Sequence, residues 1–480
     1  MCLIIRPLLI CGLLATITAR SHAFQSCPTA MDIELTPPSE VGWYARVVEF
    51  LGDWFIVGDT FDGTLRCYHW SGTEWVEVAG VVADGMTPGD GHTGYFVGQD
   101  DLLLGSAADR EGAGGLSQVG AVDIALLSSG TPTLTSTVVP PTEIVSGRFG
   151  NSIAIDMPWV AIAQQNGSEG TFIHMYVTDG ESLTLQQTLG WTFPVQGLSL
   201  SNNLLVASAP YADIDGLWGA GAIVTWTLSG GTWSHADTLT ADVPAEDDHW
   251  GFIGRVDHDQ LLLSVPGFYH GADDTETASV LRYTWNGTDW QYQQTLESPR
   301  SVSQSEVFFI KVQGSDVFIV WWEVLGDAHY QFNIDYWTLE SGTLLWTDVI
   351  DVDGSTNRAT RHNVAVKDGM VAFDGSLATD GEPRQQDRGV FTVPIVDCND
   401  NGQADSCEIL NGAPDDDADG LLDACVTCAA DWNSDGRVDV ADIVRLIVEL
   451  WGSPDGDLTS DGATDVRDLI EMLRTWNDCP

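Results

Sequence analysis

A short apolar run recurs seven times along this chain at intervals of 45 to 57 residues, and no other feature constrains the fold as tightly. The runs are Trp54-Phe55-Ile56-Val57, Leu102-Leu103-Leu104, Trp159-Val160-Ala161-Ile162, Leu204-Leu205-Val206, Leu261-Leu262-Leu263, Val317-Phe318-Ile319-Val320 and Met370-Val371-Ala372-Phe373. Polar turns such as Gly52-Asp53, Asp100-Asp101, Asn202-Asn203, Asp257-His258-Asp259 and Lys367-Asp368-Gly369 precede them. The spacing is that of one four-stranded blade with its loops. It predicts an all-β, seven-bladed β-propeller over most of the chain.

About twenty residues after several runs a second signature appears. It reads Tyr68-His69-Trp70-Ser71-Gly72-Thr73-Glu74-Trp75, Trp226-Thr227-Leu228-Ser229-Gly230-Gly231-Thr232-Trp233 and Trp285-Asn286-Gly287-Thr288-Asp289-Trp290. Alternating strand residues around Ser-Gly, Gly-Gly or Asn-Gly are hairpin turns, with glycine supplying the positive φ. Ahead of the runs stand Phe149-Gly150 and Trp250-Gly251. Together with Ala-Ser-Ala-Pro at 207–210, Gly-Ala-Gly-Ala at 219–222 and Leu239-Thr240-Ala241, this order resembles the FG-GAP repeats of integrin-type propellers. The resemblance is closest over 142–298 and implies a ring over roughly 35–396 within a 24–396 domain. Many blades of that family hold calcium in an Asp-x-Asp-x-Asp-Gly loop. No blade here has one, and Asp213-Ile214-Asp215-Gly216 is the nearest fragment.

The first 23 residues carry Arg6, an apolar stretch from Leu8 to Ile17, and Ser21-His22-Ala23 with small residues at the −3 and −1 positions of a cut. This is the pattern of a secretory signal peptide. Cys11 lies inside the apolar stretch and follows Ile10, which disfavours a lipoprotein cut. No later run approaches the roughly 18 apolar residues of a membrane span, so the expectation is a secreted or cell-surface protein. The chain has 19 Lys+Arg against 70 Asp+Glu, a net charge of −51. That field repels phosphate backbones and anionic lipid heads, and it disfavours nucleic-acid partners.

A third of that charge falls in 397–480, where 21 acidic residues meet four arginines. The acids are ordered. Asp431, Asn433, Asp435, Gly436, the backbone carbonyl of Arg437, Asp439 and Asp442 take positions 1, 3, 5, 6, 7, 9 and 12 of a calcium loop. Oxygens at 1, 3 and 5 wrap a hard cation, Gly at 6 permits the turn, and position 12 closes the shell. Ile443, Leu446, Ile447 and Leu450 follow at amphipathic helix spacing. A second copy uses Asp457, Thr459, Asp461, the carbonyl of Ala463, Asp465 and Asp468. Two loop–helix units ending in Asp, without an entering helix, resemble the dockerin type I module over 429–480. That resemblance implies calcium as the folding cofactor and a cohesin-like or cell-surface partner. The partner would be met at loop positions 10 and 11, here Val440, Ala441, Val466 and Arg467 rather than Ser-Thr pairs.

Weaker loops precede the module at 397–428. Asp397, Asn399, Asn401, Asp405 and Glu408 form one, and Asp415, Asp417, Asp419 and Asp423 another. They resemble the aspartate-rich calcium repeats of thrombospondin type 3 segments; a solvated acidic linker is the plain alternative. Of the seven cysteines left after signal removal, five lie in 397–480, so disulfides would staple this region. The candidates are Cys398, Cys407, Cys428 and Cys479, with Cys398 and Cys407 able to clip the first loop.

Two functions stay open. One is a non-catalytic binding or scaffold protein whose propeller takes a carbohydrate, polysaccharide or protein ligand while the C-terminal module attaches it. The other is a propeller glycoside hydrolase or polysaccharide lyase delivered by that module. The first is preferred, since the chain contains no His-Glu-x-x-His, Gly-x-Ser-x-Gly or sialidase-type repeat, and no catalytic residue is assigned.

Overall fold

The computed structural model describes residues 31–34, 47–58, 65–71, 75–81, 96–127, 133–167, 170–266, 278–297, 304–325, 329–340, 342–349, 364–367, 370–376 and 388–394. Toward the C-terminus it describes 408–409, 412–413, 422, 443, 446–447, 464, 466–467 and 469.

The strands form seven four-stranded antiparallel sheets, called blades here. The first strand, β1 (Met31–Glu34), belongs to the last of them. Blade 1 is β2 (Val47–Leu51), β3 (Trp54–Gly58), β4 (Leu65–Trp70) and β5 (Trp75–Val81). Blade 2 is β6 (Phe96–Gln99), β7 (Leu102–Ala107), β8 (Ala121–Leu126) and β9 (Thr133–Val138). Blade 3 is β10 (Ile153–Asp156), β11 (Trp159–Gln165), β12 (Thr171–Thr178) and β13 (Leu183–Trp191). Blade 4 is β14 (Gly197–Ser201), β15 (Leu204–Ala209), β16 (Ala222–Ser229) and β17 (Thr232–Leu239). Blade 5 is β18 (Gly254–Asp257), β19 (Gln260–Val265), β20 (Ser279–Trp285) and β21 (Trp290–Glu297). Blade 6 is β22 (Gln304–Gln313), β23 (Asp316–Leu325), β24 (His329–Glu340) and β25 (Thr343–Val349). Blade 7 is β26 (Val364–Lys367), β27 (Met370–Ser376) and β28 (Arg388–Pro394), completed by β1, whose Met31 pairs with Thr392.

All seven apolar runs are second strands, and their unbroken hydrophobicity has a physical cause. Successive side chains of a strand point to opposite faces, and in these strands each face is covered by a different blade. Phe55 and Val57 pack with Ala365 and Ala372 of blade 7, whereas Trp54 and Ile56 pack with Phe96 and Leu103 of blade 2. Leu102 and Leu104 turn the other way, onto Val160 and Ile162 of blade 3. The pattern continues around the ring. Ala161 meets Leu205 and Ala207, Leu204 and Val206 meet Leu261 and Leu263, Leu262 meets Val317 and Ile319, and Phe318 and Val320 meet Val364 and Val371. Each Val, Leu, Ile or Phe among them removes apolar surface worth roughly 1.5–3 kcal/mol from water, so the junctions between blades are the core of the molecule. In the middle of the ring an ion pair joins non-neighbouring blades, with Lys311 Nζ 2.9 Å from Glu49 Oε2.

The Phe-Gly and Gly-Ala segments meet at these junctions. At blade 2/3 the N–H of Phe149 donates to Val119 O at 2.9 Å, and at blade 4/5 the N–H of Trp250 donates to Ala220 O at 3.2 Å. The preceding residues repeat the contact, Arg148 to Gln118 O and His249 to Gly219 O, and the following glycines donate to Ala163 O and Ser264 O. Backbone lies directly on backbone. A Cβ at Gly120 (φ +86°) would stand 2.3 Å from Phe149 N, and one at Gly221 (φ +88°) 2.3 Å from Trp250 O. Glycine is needed there for both the φ and the close approach. Behind Phe149, His174 is buried between Gln164 and Thr188, and burial lowers its pKa to about 4.

These seams generate a paired test. Gly230 also has a positive φ, +59°, but open space around it. Gly230→Ala should cost roughly 1–2 kcal/mol from the φ alone. Gly221→Ala should cost a further 1–3 kcal/mol or more because its methyl group overpacks the junction. Denaturant midpoints of the two variants measure the difference, and equal shifts would show that the seam is not close-packed.

Candidate functional site

On the face carrying the turns between first and second strands, the blades are stitched by one recurring device. The last side chain of a first strand holds the first peptide of the next blade's turn. Gln99 Oε1 accepts from Met157 N at 2.8 Å, Asp156 Oδ2 from Asn202 N at 2.6 Å, Ser201 Oγ from His258 N at 2.9 Å, and Asp257 Oδ2 from Gly314 N at 2.8 Å. Lys367 Nζ donates to Gly52 O at the junction of blades 7 and 1. Where blades 1 and 2 meet, Leu51 packs over Gly98 instead, filling the space a Cβ would need.

Between blades 3 and 4 this face opens into a cleft of about 230 Å³, lined by Asp156, Met157, Pro158, Trp159, Leu200, Asn202, Asn203 and Trp233. Local chemistry explains each wall. The hairpin joining β14 to β15 has two central residues, Asn202 at φ +48° and Asn203 at φ +66°. Two consecutive positive φ values make a type I′ turn, which asparagine tolerates, and both asparagines are exposed on the rim. Leu228 N donates to Asn203 O at 3.0 Å and fixes the turn against β16.

Trp159 opens β11 after the cis Met157-Pro158 bond and is partly buried. Its ring meets that of buried Trp233 at 5.6 Å and 89°. Trp233 is held from blade 3, because the Gln187 amide accepts from its N–H at 2.9 Å and donates to its carbonyl at 2.8 Å. Gln294 grips Leu344 of blade 6 in the same two-way fashion.

Asp156 is the charged group of the cleft. Burial pushes its carboxyl above the usual carboxylate value, opposed by the Asn202 N–H and the neighbouring His258. The arrangement can stack a flat apolar ring face on Trp159 and hydrogen-bond hydroxyl groups through Asn202, Asn203 and the free oxygen of Asp156. The volume lies below the roughly 300 Å³ at which drug-sized pockets begin, which suits one unit of a chain.

The acidic residues singled out from the sequence fall mostly elsewhere. Asp431, Asn433, Asp435, Arg437, Asp439, Asp442, Asp457, Thr459, Asp461, Ala463, Asp465 and Asp468 lie outside the described residues, as do Asp397, Asn399, Asn401, Asp405, Asp415, Asp417, Asp419 and Asp423. So do Val440, Ala441 and all four candidate disulfide cysteines. Glu408 is half-buried on helical backbone, and Val466 and Arg467 are exposed on helical backbone. Leu446, placed on the apolar side of the first helix, is buried, while Ile447 is 46% exposed. Cys67 lies fully buried in blade 1. Among the described residues no group of three or more His, Cys, Asp or Glu side chains is arranged for a metal, and no helix is long and apolar enough to cross a membrane. The cleft itself had two local signals in the sequence, Met157-Pro158 and Asn202-Asn203. Their meeting with Trp233 is a property of the ring.

Asp156→Asn keeps an oxygen for the Asn202 N–H and removes a half-buried charge. The native state holds the Asp156 proton to higher pH than the unfolded chain, so stability linked to it is present at low pH and lost as pH rises through the raised value. Relative to the wild type, the variant should therefore gain stability between roughly pH 4 and pH 7. Denaturation midpoints of both proteins across that range should diverge in this direction, and parallel curves would place Asp156 in water.

No family model matches the chain, and no curated protein does. Solved structures with similar architecture include the WD40 domain of Toxoplasma gondii coronin, at 9% identity and a TM-score of 0.47 over 80% of this chain and 91% of that one. The β-propeller domain of the trilobed protease from Pyrococcus furiosus aligns at 12% identity and a TM-score of 0.43, covering 75% and 100%. A periplasmic gluconolactonase of Pseudomonas aeruginosa aligns at 12% identity and 0.41, covering 78% and 98%.

Proposed function

We propose that this chain is an exported, non-catalytic binding protein. Its propeller, of the FG-GAP kind, takes one unit of a polysaccharide in the cleft between blades 3 and 4. A calcium-folded, dockerin-like C-terminal module attaches it to a cohesin-like or cell-surface partner. The observation that carries the binding role is the composition of the cleft: one partly buried tryptophan at its wall, two exposed asparagines and one carboxylate on a frame fixed by inter-blade hydrogen bonds. A sugar ring has apolar C–H faces and equatorial hydroxyls, and such a wall meets both. Asp156 already accepts the Asn202 N–H, which gives it a positioning task and favours binding over hydrolysis. The raised pKa of Asp156 favours the second reading, a glycoside hydrolase using it as general acid, to the extent that a second carboxylate reaches the substrate within roughly 5–9.5 Å. The attachment role rests on the ligand spacing of the loops starting at Asp431 and Asp457.

Two measurements test the proposal. Affinity electrophoresis of the full chain in a panel of soluble polysaccharides should show retardation by at least one, weakened about tenfold by Trp159→Ala, the loss of roughly 1.4 kcal/mol. Release of reducing or unsaturated ends that disappears in Asp156→Asn would instead establish the enzymatic reading. For the tail, millimolar calcium should raise the helical circular dichroism of the full chain. The double variant Asp431→Ala, Asp435→Ala should lose most of that rise while the β signal stays. An unchanged spectrum would remove the calcium module.

A further inference from the structure

The stitches between blades differ in one respect that their shared role does not require. Four of them accept a peptide N–H from the next blade's turn, and a neutral group suffices for that: the Gln99 amide does it for Met157 and the Ser201 hydroxyl for His258. Asp156 and Asp257 do it with a full negative charge. At Asp257 that charge has a second use, since its Oδ1 lies 2.8 Å from His258 Nδ1. At Asp156 the stitch occupies Oδ2 alone, and Oδ1 is left to the cleft between blades 3 and 4.

Among the described residues no lysine or arginine pairs with Asp156. The cleft lining includes no lysine, arginine or histidine. The whole chain has two lysines, Lys311 and Lys367, and these are engaged with Glu49 and the Gly52 carbonyl. The base that acts on Asp156 is His258, which is committed to Asp257, and Asp257 acts on Asp156 as a like charge. Burial meanwhile strips water from the Asp156 carboxyl, and a desolvated carboxylate without a counter-ion is unfavourable. Asp156 therefore stands as half of an ion pair, in a cleft whose other walls include the Trp159 ring and the exposed Asn202 and Asn203.

We infer that the unit held in this cleft is an amino sugar whose ammonium group pairs with Asp156 Oδ1; the inference rests on the polysaccharide reading of the cleft. An equatorial ammonium lies in the girdle of a pyranose beside its hydroxyls. One unit can then present a C–H face to Trp159, hydroxyls to Asn202 and Asn203, and a cation to Asp156. A charge-assisted hydrogen bond of that kind is shorter and about twice as strong as a neutral one. The rest of the chain acts in the same direction, because a net charge of −51 attracts polycations and repels uronate or sulfate polymers. An acidic polysaccharide would set its own anions against Asp156.

The test is isothermal titration of the full chain with three β-1,4-linked hexamers that differ only at C2: those of glucosamine, glucose and N-acetylglucosamine. The buffer stands at about pH 6, above the carboxylate range, with about 0.15 M salt to screen diffuse attraction. The glucosamine hexamer should bind about tenfold more tightly than the glucose hexamer. The N-acetyl hexamer should lack that advantage, because acetylation removes the charge. Asp156→Asn should bring the preference to within about twofold, and Trp159→Ala should weaken the glucosamine hexamer about tenfold. A hexalysine peptide of equal charge should bind about tenfold more weakly than the glucosamine hexamer. Equal affinity for the glucosamine and glucose hexamers, a preference that survives Asp156→Asn, or hexalysine binding as tight as the amino sugar would each overturn the assignment while leaving the polysaccharide reading to its own electrophoretic test. Failure of every hexamer alongside retardation by some polysaccharide would overturn the amino sugar alone, and failure of both would remove the cleft as a saccharide site.

Discussion

The architecture depends on burying both faces of every second strand. A sheet with one wet face can stand alone on a single core, but a sheet apolar on both sides needs a neighbour on each. Trp54 and Ile56 demand one blade and Phe55 and Val57 another. The same demand repeats in each unit, so no blade can be terminal. The arrangement that meets it is a closed circle, and β1 completes the last sheet from the other end of the chain. Everything else, including the cleft, is positioned by strands whose tilt and spacing this packing sets.

Within the circle, polar groups do a second job that packing alone leaves undone. Apolar junctions resist separation, but they resist sliding only through the fit of their side chains. The hydrogen bonds that Gln99, Asp156, Ser201 and Asp257 accept from the next blade's turn, and the one that Lys367 donates to it, are directional and fix the register between blades. They also place functional atoms: the peptide that Asp156 holds belongs to Asn202, a wall of the cleft.

This division explains what could be read from the sequence. The seven second strands were legible because a doubly buried strand leaves an unbroken apolar run, a signal independent of distant contacts. The Gly-Ala and Phe-Gly segments were legible because close backbone approach at Gly120 and Gly221 excludes other residues. The stitching residues were not legible. Amide, carboxylate, hydroxyl and ammonium groups perform one geometric role at five junctions, so no shared letter marks it. Nor was the cleft, whose walls come from residues 156 and 233 on two strands and residue 202 in a turn, drawn from two blades. The calcium loops proposed for the C-terminal region rest on spacing alone, since a hard cation would read ligand order within a dozen residues.

The pairing of Met31 with Thr392 sets a schedule for the chain. A strand joined to a partner some 360 residues later has nothing to pair with until nearly the whole propeller has been synthesised. The entropy of closing so long a loop grows only as the logarithm of its length, so delay rather than free energy is the main consequence. Until that moment the apolar flank of blade 1, with Val48, Phe55 and Val57, lacks its cover from blade 7. Such a chain stays unfinished until its last blade is made, a state that is hazardous if it lingers near other exposed edges.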